Sequence, residues 1–333
     1  MWLVVVPVYV VLVGATVGGL DLLVFGPALP ERVVGVFLLL VAYATCPRPG
    51  KLPPHSASLR REHAPLTFAL IDDVAAVCGT GTPTTLLVTR DFNAFAVRVG
   101  WRRRSSLGIG APLWVATPPQ ARVALLGHEL GHFAHGDLVS SWWVWAAQQS
   151  LLHWVRILRP PRNVSSVNAF ITRCAFLPLY TLAASYLWVV TQLNGPASQR
   201  QEYLADVDSA KAAGTPAATR MLEVLFVEPA VSTAMTRAAV SRDRPDMWEL
   251  VRADVGAFDD DDYRRRAAGD AERSRIDASH PATLLRLRLL ETLPSFSAQV
   301  VLDSARAHAI EAELSGPLGL AARHAGDAIR YQR

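Results

Sequence analysis

Apolar residues are distributed unevenly along the chain, and their pattern divides it into segments. Residues 2–20 carry no charged side chain, and residues 33–46 form a second apolar run after Glu31 and Arg32. As a helix the first run is about 28 Å long at 1.5 Å per residue, enough for a hydrocarbon core. Its length, and the absence of Lys or Arg ahead of it, argue against a cleaved signal peptide. Arg48, Lys51, Arg60 and Arg61 follow the second run. By the positive-inside rule residues 47 onward lie in the cytoplasm and residues 21–32 form a short outer loop. Residues 1–46 thus read as an N-terminal transmembrane hairpin. Two further apolar runs, 138–158 and 169–193, read as a second hairpin over residues 138–193. Trp142, Trp143, Trp145 and Trp154 suit a membrane interface. Gln148, Gln149, His153 and Arg173, with Arg156, Arg159 and Arg162 in the linker, suit a re-entrant or protein-packed hairpin instead.

Between and after the hairpins the period changes. Residues 66–78 predict an amphipathic helix that ends before Gly79. Residues 85–89, 93–99 and 113–117 predict three strands. Thr117, Pro118 and Gln120 have the form of a capping box with proline in the first turn, opening a helix that runs to about His135 and stops at Gly136. A helix over 200–213 stops at Gly214. Residues 229–276, with Asp259–Asp262 followed by Arg264–Arg266, read as a loop-rich solvated insert, and 296–333 as a helical tail. On this reading one catalytic domain is built from residues 47–137 and 194–295, with the second hairpin between its parts.

Composition narrows the class. Of 333 residues 51% are hydrophobic and 19% charged, with a mean hydropathy of +0.21. Concentrated as it is in patches, that excess excludes a disordered chain and a uniformly soluble domain. The net charge of +4 is carried almost wholly by arginine, since Lys51 and Lys211 are the only lysines. The basic run Arg102–Arg104 has no aromatic-interleaved face beside it, so no nucleic-acid partner is expected. Cys46, Cys78 and Cys174 are odd in number and widely spaced. They support neither a disulfide framework nor a thiolate zinc site.

The chemistry concentrates at His128-Glu129-Leu130-Gly131-His132 on the capped helix. Four-residue spacing puts both imidazoles on one face, where they can ligate one ion. Neutral imidazoles suit zinc, and three protein ligands leave a position open for water. Glu129 borders that face and can take a proton from the water. His135, one turn further on, reads as a structural residue at the helix end. A third ligand is needed. Glu202 and Asp206 lie four apart on a later helix, so one can bind metal while the other orients a ligating imidazole. Asp137, Asp208 and Glu223 are the competing candidates.

In this order the motifs resemble those of the HtpX-like membrane zinc metallopeptidases, the family that includes the CAAX prenyl proteases. Asn93-Ala94-Phe95-Ala96 is similar to the family's strand upstream of the catalytic helix. The His128–His132 motif extends into Phe133-Ala134-His135-Gly136-Asp137, and Glu202-x-x-Ala205-Asp206 follows the second hairpin. Ser279-His280-Pro281 is similar to the family's Ser/Thr-His-Pro element, with Arg286 at the spacing of a family arginine. The resemblance implies a mainly α, α+β gluzincin-type fold, membrane-integral, with a small sheet beside the catalytic helix. It implies one zinc ion held by His128, His132 and Glu202, Glu129 as general base, and Asp206 behind a ligating histidine. His280 and Arg286 would stabilise the oxyanion. Residues Asn93, Ala94, Phe95 and Ala96 would form an edge strand for an extended protein or peptide substrate. The implied activity is that of a bacterial cell-membrane endopeptidase. It would act on misfolded or membrane-associated proteins from the cytoplasmic side, in contact with membrane lipid. An intramembrane site-2 type protease fits less well, because Pro118, Pro119, Gln120 and Arg122 interrupt any apolar span at the motif. The alternatives are a sensor-linked regulatory metalloprotease and a zinc-binding scaffold without proteolysis. The scaffold is disfavoured by the presence of Glu129.

Overall fold

The computed structural model describes residues 2–46, 55–99, 104–135, 137–161, 166–243, 245–271 and 282–331. In chain order the helices α1 (Trp2–Phe25) and α2 (Leu29–Thr45) precede β1 (Ala57–Leu59), α3 (Pro65–Cys78), β2 (Thr85–Thr89), β3 (Ala94–Val99) and β4 (Arg104–Gly110). Then come α4 (Ala111–Ala116), α5 (Pro119–Ala134), α6 (Asp137–Ile157), α7 (Val167–Ala213), α8 (Thr215–Val224) and α9 (Glu228–Val240). The last four are α10 (Met247–Gly256), α11 (Asp260–Ala271), α12 (Thr283–Thr292) and α13 (Ser304–Tyr331). This is a mainly helical α+β architecture with one small sheet. The chain divides into two compact units, Met1–Pro49 with Val139–Ser198, and Gly50–Leu138 with Gln199–Arg333.

In the first unit α1 packs along α2. Side chains on Gly19 or Gly35 would come within about 3 Å of the facing backbone, so small residues set this approach. Val5, Val8, Val144, Ala147, Leu151 and Val190 form its core. Ser150 donates to the Thr45 carbonyl at 2.6 Å, and Trp154 Nε1 to Thr45 Oγ1 at 3.2 Å. Two stretches, Val5–Phe25 and Val167–Leu193, are long and apolar enough to cross a membrane, and most of each lies outside the protein core. Neither α2 nor α6 meets the same measure.

The second unit carries a sheet of order β1-β2-β4-β3. β1 pairs antiparallel with β2, β2 parallel with β4, and β3 antiparallel with β4. Leu86 and Val88 of β2, Leu107 and Ile109 of β4, Leu70 and Ile71 of α3, and Leu126 and Leu130 of α5 share one core. Several predicted elements stand as expected: the helix before Gly79, the strand over 85–89 and the end of α7 at Ala213; the strand expected over 93–99 begins at Ala94, and the last helix begins at Ser304.

Three expectations are corrected. Residues 113–117 lie in a short helix and at its end, not in a strand, because Pro112 cannot donate to a ladder but suits a first helical turn. The strand position beside β2 belongs to Arg104–Gly110, whose glycines hide its alternation. Residues 229–271 form three helices rather than a solvated loop, and Val231, Trp248, Val251 and Tyr263 are buried in the core. Asp246 starts the middle one by accepting from Trp248 N and Glu249 N. The helices over 169–193 and 200–213 are parts of one helix, α7. A proline such as Pro196 removes one backbone hydrogen bond without ending a helix whose neighbouring turns are intact.

Candidate metal centre

The helix α5 is held at its start by side chains, though not by the expected capping box. Thr117 Oγ1 donates back to the Leu113 carbonyl at 2.6 Å, and no side chain caps the helix. Gln120 instead donates to the Ala213 and Val300 carbonyls and accepts from Leu302 N at 2.9 Å. It thereby ties the first turn of α5 to the end of α7 and to the segment before α13. Arg122 Nη2 reaches Glu311 of α13 at 2.7 Å.

Further along, α5 meets the C-terminal part of α7 at glycines. A Cβ on Gly127 would lie 3.0 Å from Ser209 Cα, and one on Gly131 3.0 Å from Ala205 Cα. Both are tighter than ordinary packing allows, so only glycine at 127 and 131 permits this separation. The approach brings Glu202 within reach of both histidines. Glu202 Oε2 is 3.4 Å from His128 Nε2, and Oε1 is 3.7 Å from His132 Nε2. One donor atom from each of the three residues lies within 4.8 Å of the others. In a tetrahedral zinc site with bonds near 2.0–2.1 Å, ligand atoms stand roughly 3.4 Å apart. The donor set and its spacing fit zinc.

Asp206 lies behind His128. Its Oδ1 is 3.0 Å from His128 Nδ1, which leaves Nε2 facing Glu202. Arg286 donates to Asp206 through Nε at 2.8 Å and Nη2 at 2.6 Å, and its Nη1 is 3.6 Å from Glu202 Oε2. Burial would raise the Asp206 carboxyl, but the bonds from Arg286 and His128 outweigh it and hold the group below its usual range. Burial and the Arg286 charge oppose protonation of His128, yet the hydrogen bonds it donates to Asp206 and Glu202 push it up to about 9. The same negative field favours a bound cation. Three buried carboxylates, Glu129, Glu202 and Asp206, face one buried guanidinium, Arg286. With neutral histidines that leaves two negative charges, which a divalent ion would balance.

The other expected residues are placed as follows. Residues 94–96 lie on β3, which among the described residues is an edge of the sheet paired with β4, and which packs against α5. Asn93 stands just before it, its carbonyl accepting from Gly110 N at 2.6 Å. The Phe95 ring lies over Gly108, where a Cβ would meet it at 2.3 Å. His280 lies outside the described residues. Arg286 is not at an open surface but buried against Asp206. Asp208 is apart from the ligand atoms, bonded by His135 Nε2 at 2.8 Å and Lys211 Nζ at 3.1 Å. Glu223 pairs with Arg220. The Arg286–Asp206 pair and the role of Gly127 have no local signal in the sequence. The matched four-residue spacings Gly127–Gly131 and Ala205–Ser209 are the trace that a search for close helix packing would find.

The model of peptidase family M48 matches residues 68–293, about two thirds of the chain. The chain belongs to peptidase family M48. Members of the M48 family are zinc-dependent metallopeptidases, so this protein is a hydrolase of protein or peptide substrates. The match begins within α3 and ends just past α12, so it takes in β2 to β4, both ligand-bearing helices and Arg286. No curated protein and no solved structure matches the chain.

Proposed function

We propose that this M48 peptidase is a membrane-bound endopeptidase that cleaves misfolded or membrane-associated proteins at the cytoplasmic face. The observation that carries the reading is the His128–His132–Glu202 donor set with Glu129 beside it on α5. His128, His132 and Glu202 hold the zinc ion, which supplies polarisation of the scissile carbonyl and acidification of water. Glu129 accepts the proton of the attacking water and returns it to the leaving amine. Asp206 fixes the tautomer and tilt of His128, and Arg286 holds Asp206. His280 approaches the scissile carbonyl and stabilises its developing charge. An extended substrate lies along β3 at residues 93–96 and is held by backbone hydrogen bonds, which permits broad sequence tolerance. Membrane attachment is supported by the two long apolar stretches and by the basic residues that follow the first hairpin.

The test pairs wild type with Glu129→Gln, purified in detergent. Near-stoichiometric zinc is expected in both, with cleavage of an unfolded protein by wild type alone. Equal cleavage by the variant would overturn Glu129 as the base, and zinc in neither would overturn the centre. Resistance of the chain to alkaline extraction from membranes tests the attachment separately.

A further inference from the structure

A cavity of about 510 Å³ opens where the first turn of α5 meets α10, α11 and α13. None of its lining residues belongs to the metal centre. Its volume falls in the range of small-molecule sites, roughly 300–1,000 Å³. One side is basic: Arg122, Arg220 and Arg252 line it, against the single carboxylate of Glu311. Another side is apolar, formed by Val255, Phe258 and Tyr263.

The charges can be matched one by one. Arg220 is bonded to Asp260 at 2.6 Å and to Glu223 at 3.1 Å, and its guanidinium stacks over Tyr263. Arg122, only 3% exposed, is bonded to Glu311 through Nη2 and to the Trp114 and Thr117 carbonyls through Nε. Its buried Nη1 has no hydrogen-bond partner. A buried, unmet charged donor is costly, and an incoming anion can meet it. Burial disfavours the Arg122 charge, Glu311 opposes that effect, and the nearby Arg252 adds to it. Arg252 forms no ion pair among the described residues. The cavity therefore offers one arginine without an ion pair among the described residues, one orphaned N–H close by and an aromatic wall.

We propose that this cavity binds a small carboxylate carried on an apolar body, the carboxylate at Arg252 on the side lined by Arg122 and the body against Val255, Phe258 and Tyr263. A single arginine without a carboxylate partner suits a monoanion, and the aromatic wall suits a flat or short-chain hydrocarbon. Such a ligand would join the start of the catalytic helix to α10 and α13. The inference stands apart from the reading of substrate and membrane side.

The probe is 3-phenylpropionate, titrated calorimetrically into the zinc-loaded full chain in detergent. Acetohydroxamate is present at a saturating level to occupy the metal. One ligand per chain is expected to bind, while the neutral 3-phenylpropanol does not. Arg252→Gln, at an exposed position, should keep the thermal midpoint and the zinc. It should weaken binding on the order of 10-fold, the loss expected for one charge-assisted hydrogen bond. Arg252→Lys should retain part of the affinity. The proposal is overturned by absence of binding, by equal binding of the alcohol, or by an unchanged affinity in Arg252→Gln. It is overturned equally if acetohydroxamate abolishes binding, which would place the probe on the metal, or if inorganic phosphate binds as tightly.

Discussion

Two aspartates of α7 each meet a histidine of α5, and the two clusters are built differently. Asp206 is fully buried, takes two bonds from the buried Arg286, and touches His128. Asp208 is bonded by His135 at the end of α5 and by the half-exposed Lys211. In the second cluster one carboxylate and one ammonium balance. In the first, with neutral imidazoles, Glu129, Glu202 and Asp206 exceed Arg286 by two charges, of which protonation of His128 offsets one. A surplus of buried negative charge is unstable without a cation, whereas a balanced cluster is complete as it stands. Carboxylate proximity to a histidine is therefore not what marks a metal site; an excess of buried carboxylates with converging donor atoms from two imidazoles and a glutamate is.

The largest effect is expected where the comparison is broken outright. Glu202→Ala removes the donor that reaches both imidazoles and should abolish stoichiometric zinc and all cleavage. Asp208→Ala, less than two turns along the same helix, should keep its zinc. Elemental analysis of both purified proteins after dialysis decides it, and full zinc in Glu202→Ala would move the third ligand elsewhere.

Next in size is the layer behind His128. Asp206→Asn keeps the volume but removes the charge that orients the imidazole, and should weaken zinc or lower kcat/KM about 10–100-fold. Arg286→Met removes the partner of Asp206 and leaves a buried carboxylate unpaired. It should reduce activity in the same range and also lower Tm. In the double variant the two losses should add to less than their sum, because each acts through the other. Fully additive losses would mean that Arg286 acts on substrate directly, as an oxyanion group would.

A smaller effect tests the spacing that both clusters share. Gly127→Ala puts a methyl 3.0 Å from Ser209 Cα, so α5 and α7 must separate by a few tenths of an ångström. Overpacking of this kind costs about 1–3 kcal/mol. The expected signature is a lowered Tm together with a several-fold weaker zinc affinity, measured by competition with a chromophoric chelator. Loss of Tm with unchanged zinc affinity would separate the packing from the ligand geometry.

These differences explain which parts of the centre are legible in sequence. His128, Glu129 and His132 are neighbours through the helical period alone, a local property that spacing states directly. Glu202 joins them across seventy residues, and its choice over Asp208 or Glu223 depends on how two helices pack. Spacing alone leaves all three open. Arg286 is further still, since its partner is buried on another helix and its own helix shows only an unremarkable arginine among leucines. The same contrast holds in the fold. The helix at 65–78 and the strand at 85–89 follow from local period and from Gly79. Residues 104–110 escape because glycines at 108 and 110 carry no side chain to alternate. Residues 229–271 escape because charge on their outer faces masks Val231, Trp248 and Val251, which face a core formed by distant segments.

The smallest expected effect concerns the balanced cluster. His135→Gln removes one bond to Asp208, while Lys211 remains at 3.1 Å. Because His135 is partly exposed and Asp208 keeps a charged partner, the loss is that of one modest hydrogen bond, about 0.5–1.5 kcal/mol. Tm should fall slightly, with zinc content and kcat/KM within a factor of two of wild type. His135 Nε2 is engaged by Asp208, and His135 is not among the three residues whose donor atoms converge. A loss of zinc in His135→Gln comparable to that in Asp206→Asn would therefore mean that the two clusters act as one, and that charge surplus does not distinguish them.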